Sequence, residues 1–218
     1  MAKYKLVCFD VDGTLIDNVK FSWQVFHDYF QTDRHRREDA KNRFFNGQIT
    51  YKEWAEHDIS LWRECRAKKS DFFRAISHLR LMPGAIETLK ELKKHGIKLA
   101  IISGSLNILL EKFIPDYNDF FDDVFISRIF FDENEDISRI DATEYDMEGK
   151  ARALRMIAER EGLDLKECAF VGDYLNDINI IQDAGLGIAF NCEHDELKKV
   201  ADVVIDKKDM REILKYIL

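Results

Sequence analysis

Two kinds of apolar pattern alternate along this 218-residue chain. Short runs rich in apolar residues, with no polar alternation, occur at Tyr4–Phe9, Ile97–Ile102, Asp123–Ile126, Cys168–Val171, Gly187–Phe190 and Val203–Ile205. Such runs are the pattern of strands covered on both faces. Between them lie stretches with helical spacing. Ala85–His95 follows Pro83 and stops before Gly96. Lys150–Glu161 carries Ala151, Leu154, Ile157 and Ala158 on one face and stops at Gly162. Proline near a helix start and glycine past its end are favoured punctuation. Tyr174–Gln182 and Asp209–Ile217 complete the set. Strands alternating with helices predict an α/β fold with a doubly wound parallel sheet.

Two segments break the alternation. Residues 17–80 show no strand pattern and read as helices at Phe21–Phe30, His35–Phe45, Tyr51–Arg66 and Ser70–His78. This is far longer than an ordinary strand-to-helix connection. It predicts a helical cap of residues 17–80 inserted after the first strand, on a core formed by residues 1–16 and 81–218. The second break is Ile126–Phe131 and Ile137–Ile140 flanking Asp132–Asp136, which predicts an antiparallel hairpin, a small flap on the sheet.

Composition narrows the partners. Hydrophobic residues at 46% and charged residues at 34% suit a folded chain with a buried core. A net charge of −8 argues against nucleic acid or an anionic membrane as the partner. No run approaches the roughly 18 apolar residues of a membrane span, and the run within Met1–Asp10 is too short for a signal peptide. The four cysteines are scattered without a CxxC pair, as expected of reduced thiols in a cytoplasmic protein. The six histidines form no HxH or HExxH arrangement, so none is assigned to metal or catalysis.

Candidate chemistry begins at Asp10 and Asp12, directly after the first strand, with Gly13 and Thr14 behind them. Ligands of open parallel sheets bind at the carboxyl ends of strands. Gly13 permits a sharp turn there. Two acids so close repel unless a cation joins them, and oxygen donors of this kind suit Mg²⁺ bridged to phosphate. A solvated Asp-Gly turn is the bland alternative. Ser103, Gly104 and Ser105 follow the second core strand and precede an apolar helical pattern from Leu106. A small hydroxyl and backbone N–H groups at a helix N-terminus make a phosphate site, though serine is also a common helix cap. Lys150 starts a helix, where a cation opposes the dipole; it is either a solvated lysine or one facing a phosphate and the two acids. Gly172-Asp173-Tyr174-Leu175-Asn176-Asp177 follows another strand. There Asp173 can complete a magnesium site, and Asn176 and Asp177 can orient Lys150 or a metal-bound water. All four signals are expected at strand ends around one crevice.

This set resembles the haloacid dehalogenase superfamily of phosphohydrolases: DxDGT at Asp10–Thr14, Ser103, a lone Lys150, and GDxxND at Gly172–Asp177. The insertion after the first motif resembles the C1 cap class, and the branch is similar to the phosphoserine phosphatases, with supporting stretches at Pro83-Gly84 and Asp209–Tyr216. The resemblance implies that Asp10 is a nucleophile forming an aspartyl-phosphate. It implies that Asp12 is the general acid and base, and that Mg²⁺ is held by Asp10, the Asp12 backbone carbonyl and Asp173. Ser103, Gly104 and Lys150 would then bind the phosphoryl oxygens, with Asn176 at the substrate and Asp177 and Gly172 in support. It implies a cytoplasmic monomer or homodimer acting on a small phosphorylated metabolite.

One departure concerns the substrate. Phosphoserine phosphatases carry a cap glutamate and a cap arginine that read the amino acid. By spacing these positions fall at Val19 and near Glu56. Arg63 and Arg66 replace the arginine only in a differently packed cap, and nothing evident replaces the glutamate. An unpaired ammonium or carboxylate in a closed pocket is costly, so selectivity for phosphoserine is not expected. A phosphoserine phosphatase with a repacked cap pocket is the alternative. The aromatics Phe21, Trp23, Phe26, Tyr29, Trp54 and Trp62 are expected to form the insertion's own core, or else to line a different pocket. Two other classes fit less well. A phospho-acceptor signalling domain would be shorter and would lack the insertion. A silent binding protein would not need every motif position filled. A dinucleotide fold lacks its GxGxxG.

Overall fold

A computed structural model describes residues 3–147 and 149–218; Met1, Ala2 and Glu148, and with them the first residues of the expected core range, lie outside the described residues. The first strand, β1 (Leu6–Phe9), is buried throughout, as an apolar run without alternation demands of a strand covered on both faces. A turn leads to the two-residue β2 (Ile16–Asp17), then to α1 (Ser22–Phe30), α2 (Arg34–Phe45), α3 (Tyr51–Glu64) and α4 (Lys69–Ala75). The chain returns through β3 (Arg80–Leu81), which pairs antiparallel with β2, Ile16 opposite Leu81 and Asp17 opposite Arg80. This short ribbon closes the insertion where no strand is legible in the sequence, because two residues are too few to show a period.

From there the elements alternate: α5 (Ala85–Lys94), β4 (Lys98–Leu106), α6 (Asn107–Phe113), α7 (Tyr117–Phe120), β5 (Asp123–Phe131), β6 (Ile137–Asp141), α8 (Gly149–Glu161), β7 (Cys168–Gly172), α9 (Ile178–Asp183), β8 (Leu186–Phe190), α10 (Asp195–Val200), β9 (Val203–Ile205) and α11 (Leu214–Ile217). The main sheet has the order β6-β5-β4-β1-β7-β8-β9. Its neighbours run parallel except for the β5–β6 hairpin. The strand order reverses direction at β1, so its carboxyl end faces the switch-point crevice. Alternate residues feed opposite layers: Val7, Phe9, Leu99 and Ile101 join one apolar cluster, Leu6, Cys8, Ala100 and Ile102 the other. Short 3₁₀ turns at Leu165–Glu167, Leu175–Asp177 and Met210–Ile213 stand where the helical patterns begin or end less regularly.

The insertion has a core of its own that merges with the larger one. Phe26, Trp62 and Phe72 are fully buried and meet one another, and Phe72 meets Phe131 of β5 at 5.5 Å between centroids. Arg63 donates to the carbonyls of Ile137 and Ser138, and Lys68 pairs with Asp136 at 2.8 Å. The hairpin is therefore held against α3 and the start of α4. By contrast, α2 buries only Ala40. Arg63 is occupied here, and Arg66 turns the chain at a φ of 55°.

Beside this core lies a buried histidine. His27 shares a 2.7 Å hydrogen bond between Nδ1 and Thr32 Oγ1, its Nε2 lies 3.2 Å from Asp58 Oδ2, and its ring tilts against Trp62. Burial pushes its pKa below the ordinary 6.5, against the opposing pull of Asp58. Below the ordinary value the unfolded chain then binds more protons than the folded one. The stability this group contributes is whole above about pH 6.5 and declines as pH falls through the lowered value. The gap in melting temperature between the wild type and His27→Gln should accordingly narrow between pH 8 and pH 5. A constant gap, measured by calorimetry, would contradict the assignment.

Candidate active site

The site grows from the carboxyl end of β1. The Asp10 backbone N–H still donates to Val171 O of β7 at 3.0 Å, which fixes Asp10 just past the carboxyl end of the central strand. The chain then turns: Ile16 N donates back to Val11 O at 2.9 Å. Gly13 sits at a φ of +73°, and a Cβ there would stand 2.1 Å from the Asp173 carboxylate. Only glycine tolerates both the conformation and the approach. Thr14 Oγ1 donates to Asp173 Oδ1 at 3.0 Å. The turn after β1 and the loop after β7 are thus joined side chain to side chain.

Lys150 enters from another direction. It is the second residue of α8 rather than the end of a strand, a correction to the strand-end expectation. Its side chain is 1% exposed, with Nζ 3.1 Å from Asp10 Oδ2 and 2.7 Å from Asp177 Oδ1. Asp177 Oδ2 accepts from the backbone N–H groups of Asp173 and Tyr174. Both oxygens of Asp177 are therefore engaged in holding Lys150 and the loop that bears Asp173. The same carboxylate lies against Gly172, where a Cβ would meet it at 2.3 Å.

Asp12 faces the insertion. Its Oδ2 accepts from Ser22 N at 2.6 Å and its Oδ1 from Ser105 Oγ at 2.7 Å. Ser105 N donates to Ser103 Oγ at 3.2 Å, and Trp23 Nε1 donates to Gly104 O at 2.9 Å. Ser103–Ser105 still belong to β4, and α6 begins only at Asn107. The helix N-terminus expected beneath Ser103 and Gly104 is therefore displaced along the chain. Asn176 donates to Asp146 Oδ1 at 2.8 Å, so it meets Asp146, while Asp177 orients Lys150. Asp146 also accepts from Tyr51 Oη at 3.1 Å and would meet a Cβ on Gly104 at 2.2 Å. Sequence reasoning missed Asp146, Ser22 and Tyr51, which belong to no motif and are brought in by packing of the insertion or the connection before α8; Ser105 stood in the Ser103–Ser105 run, but its bond to Asp12 was not foreseen.

Charge dominates this centre. Carboxylate oxygens of Asp10, Asp173 and Asp177 lie within 4.8 Å of one another, all buried, and the cation among them is Lys150. Burial raises Asp177 to about 6, with Lys150 pulling the other way. Burial also raises Asp173 well above the carboxylate range, helped by Asp10 and Asp177. Burial alone would lower Lys150, but Asp10 and Asp177 outweigh it and hold it strongly protonated. Asp12 is raised to about 6 by burial, against the Ser22 N–H. The excess of buried negative charge, with one oxygen each of Asp10 and Asp173 left unengaged by the bonds above, is a donor set that fits a hard divalent cation.

Above this floor opens a cavity of about 930 Å³. Asp10, Asp12, Ser103, Gly104 and Asn176 line its base, and Trp23, Phe44, Trp54 and Tyr174 stand in its walls. Val19 is buried and lies outside this wall, against a smaller hollow. Glu56 is exposed and pairs loosely with Lys52 at 3.9 Å. Of the insertion's aromatics, Phe26 and Trp62 form core, Phe21, Trp23 and Trp54 border the cavity, and Tyr29 is exposed.

Comparison with known proteins is consistent with this geometry. A family model described as haloacid dehalogenase-like hydrolase matches residues 4–185. The chain is 32% identical over 218 residues to phosphoserine phosphatase of Methanocaldococcus jannaschii, covering 99% of this chain and 98% of that one. Among solved structures it is similar to a substrate-bound phosphoserine phosphatase complex, with a TM-score of 0.74, 29% identity and 99% of both chains covered. A phospho-aspartyl intermediate analogue of phosphoserine phosphatase matches with a TM-score of 0.73, 29% identity and the same coverage. No helix among the described residues is long and apolar enough to cross a membrane.

Removing the buried cation should expose the cost of the carboxylates it neutralises. Lys150→Met is expected to lower unfolding stability by about 3 kcal/mol, the range for breaking a buried ion pair from one side. Urea unfolding without divalent cations measures this, and an unchanged midpoint would show that Lys150 does not balance the cluster.

Proposed function

On the premise that the chain belongs to the haloacid dehalogenase-like hydrolases, as a phosphatase closely related to the phosphoserine phosphatases, we propose that it hydrolyses a small phosphate monoester through an aspartyl-phosphate. Asp10 is the nucleophile in this reading. What supports it is the single arrangement of Asp10 between Lys150 and the β7 loop, on the lining of the open cavity. An Asp10 oxygen attacks phosphorus, the ester bond breaks, and the leaving alkoxide takes a proton from Asp12. In the second half, Asp12 takes a proton from water, which displaces phosphate and restores the Asp10 carboxylate. A carboxyl raised to about 6 by burial is suited to both transfers.

Ser103, the Gly104 N–H and Lys150 bind the phosphoryl oxygens, where charge must be stabilised. Asp177 and Gly172 keep Lys150 and the Asp173 loop in position, and Asn176 faces the substrate cavity. Mg²⁺, the ion this family generally uses, would be held by Asp10, Asp173 and the Asp12 carbonyl and would neutralise charge on the transferred group. Residues 17–80 act as a cap over a core of 1–16 and 81–218. The tight ribbon at β2 and β3 and the contact of Ser22 and Trp23 with Asp12 and Gly104 support a cap whose closure excludes water.

The substrate is not phosphoserine in particular. The carrying observation is that Val19 lies outside the cavity wall and Glu56 points to solvent, so neither amino-acid charge finds the partner that relatives of this branch place there. A second reading, phosphoserine phosphatase with a repacked pocket, is favoured by the full-length similarity to such enzymes. It would have to use Arg37 and Asp58, both of which line the cavity.

Asp10→Asn should abolish hydrolysis of a generic aryl phosphate with Mg²⁺, by at least about 10³-fold, while the melting curve remains cooperative; sustained turnover would end the nucleophile assignment. Chelation by EDTA should remove activity, and Mg²⁺ should restore it. In a screen of phosphorylated metabolites phosphoserine should rank below other esters, and its ranking first would establish the second reading.

A further inference from the structure

We propose that the alcohol part of the substrate carries a flat ring with a hydrogen-bond donor, received between the aromatic wall of the insertion and Asp58. The inference rests on the phosphatase reading above and names its substrate class.

The first observation is an aromatic group that belongs to no core. Phe44, Phe45, Tyr51 and Trp54 take no part in either apolar cluster of the molecule. They gather about Trp54, with Phe44 stacked on it at 5.0 Å and 25°, and all four line the cavity. Phe45 is 61% exposed. Phe44 and Phe45 end α2, which buries only Ala40, and Tyr51 and Trp54 stand in the first turn of α3 ahead of its buried residues, so the insertion's core does not explain them. Apolar ring surface left open in a cavity is favourable only when something flat covers it.

Polar groups at the same wall are left without partners. Asp58 is 2% exposed and lines the cavity. Its Oδ2 faces His27 Nε2 at 3.2 Å and Arg37 Nε at 3.9 Å. Its Oδ1 has no hydrogen-bond partner among the described residues, and His57 Nδ1 stands too far off at 3.9 Å. Trp54 Nε1, one helical turn earlier on α3, likewise has no hydrogen-bond partner among the described residues. A buried carboxylate oxygen with an empty acceptor position is costly unless a ligand donor meets it.

Size points the same way. Ligand cavities of about 300–1,000 Å³ hold drug-sized molecules, and this one, at about 930 Å³, is at the upper end. A phosphate anchored at Asp10 by a short three-carbon alcohol would leave most of the wall uncovered. A ring-bearing alcohol would cover it.

Esters of primary alcohols separate the possibilities: ethyl phosphate, phosphoserine, benzyl phosphate and 3- or 4-aminobenzyl phosphate. With Mg²⁺, benzyl phosphate should exceed ethyl phosphate and phosphoserine in kcat/KM by at least about 10-fold. One of the aminobenzyl esters should gain at least about threefold more. Trp54→Ala, checked by circular dichroism for an intact fold, should raise KM for benzyl phosphate about 10-fold while kcat moves less than about threefold; Phe44→Leu gives an independent second variant. Equal kcat/KM for ethyl and benzyl phosphate would overturn the ring assignment while leaving hydrolysis standing. No gain from either amino group would overturn the role of Asp58. The Kd values of ethylphosphonate and benzylphosphonate, measured by calorimetry, need no turnover. A tighter benzyl ligand on an enzyme that hydrolyses none of the esters would retain the ring pocket and sink the phosphatase reading.

Discussion

Everything in the centre of this molecule is arranged about one buried ammonium. Lys150 lies between Asp10 and Asp177 with almost no exposure, and Asp173 completes a set of three carboxylates whose oxygens are within 4.8 Å. Such a cluster is unfavourable in a low-dielectric interior without compensating charge. One cation compensates in part. The remaining excess of negative charge gives the crevice a donor set that fits a divalent cation, while Lys150 is the positive charge already fixed beside it. The same carboxylate that holds Lys150 also accepts the backbone of the Asp173 loop, so charge balance and loop shape come from a single residue.

The insertion is coupled to this centre at its first turn. Ser22, the first residue of α1, donates its N–H to Asp12, and Trp23 next to it donates to Gly104. Movement of α1 would therefore alter the environment of a carboxyl that burial has raised to about 6. Asp146 makes a second bridge, taking hydrogen bonds from Tyr51 of α3 and Asn176 of the core. Its carboxylate lies against Gly104, the segment assigned to phosphoryl binding. In the proposed mechanism these few hydrogen bonds link the position of the insertion to the carboxyl of Asp12 and to Gly104.

How much of this was legible beforehand depends on the kind of interaction. The central strands coincide with apolar runs, and the helices of the insertion begin and end within a few residues of where periodicity and capping residues put them. Thr50 with Glu53 makes the capping box at the start of α3, a purely local device. The motif residues Asp10, Asp12, Ser103, Asp173 and Asp177 converge as expected, because strand ends in a parallel sheet open on one side. What was not legible were the ribbon of β2 and β3 and the continuation of β4 past Ser103, while Lys150 was legible at the head of its helix but not as the buried partner of Asp10 and Asp177. The ribbon is too short for a period, the length of β4 is settled by pairing with β5, and the partners of Lys150 are settled by the packing of α8 against the loop after β7.

Sequence alone determined the sheet, the long helical insertion and the set of polar residues at the crevice, because each rests on local pattern: runs of one polarity, glycine where the turn must be tight, acids where strands end. It also places valine at position 19 and glutamate at position 56, where the resemblance leads one to expect a glutamate and an arginine. Tertiary structure alone decided which aromatics are core and which are wall, and that Asp58 keeps an open acceptor beside them. It decided, too, that Arg63 serves the hairpin instead of a ligand. Spacing along one helix does not say what stands opposite it. That depends on how α1, α2 and α3 lie over the crevice, and long-range packing, with no signature in any single stretch of chain, sets that arrangement.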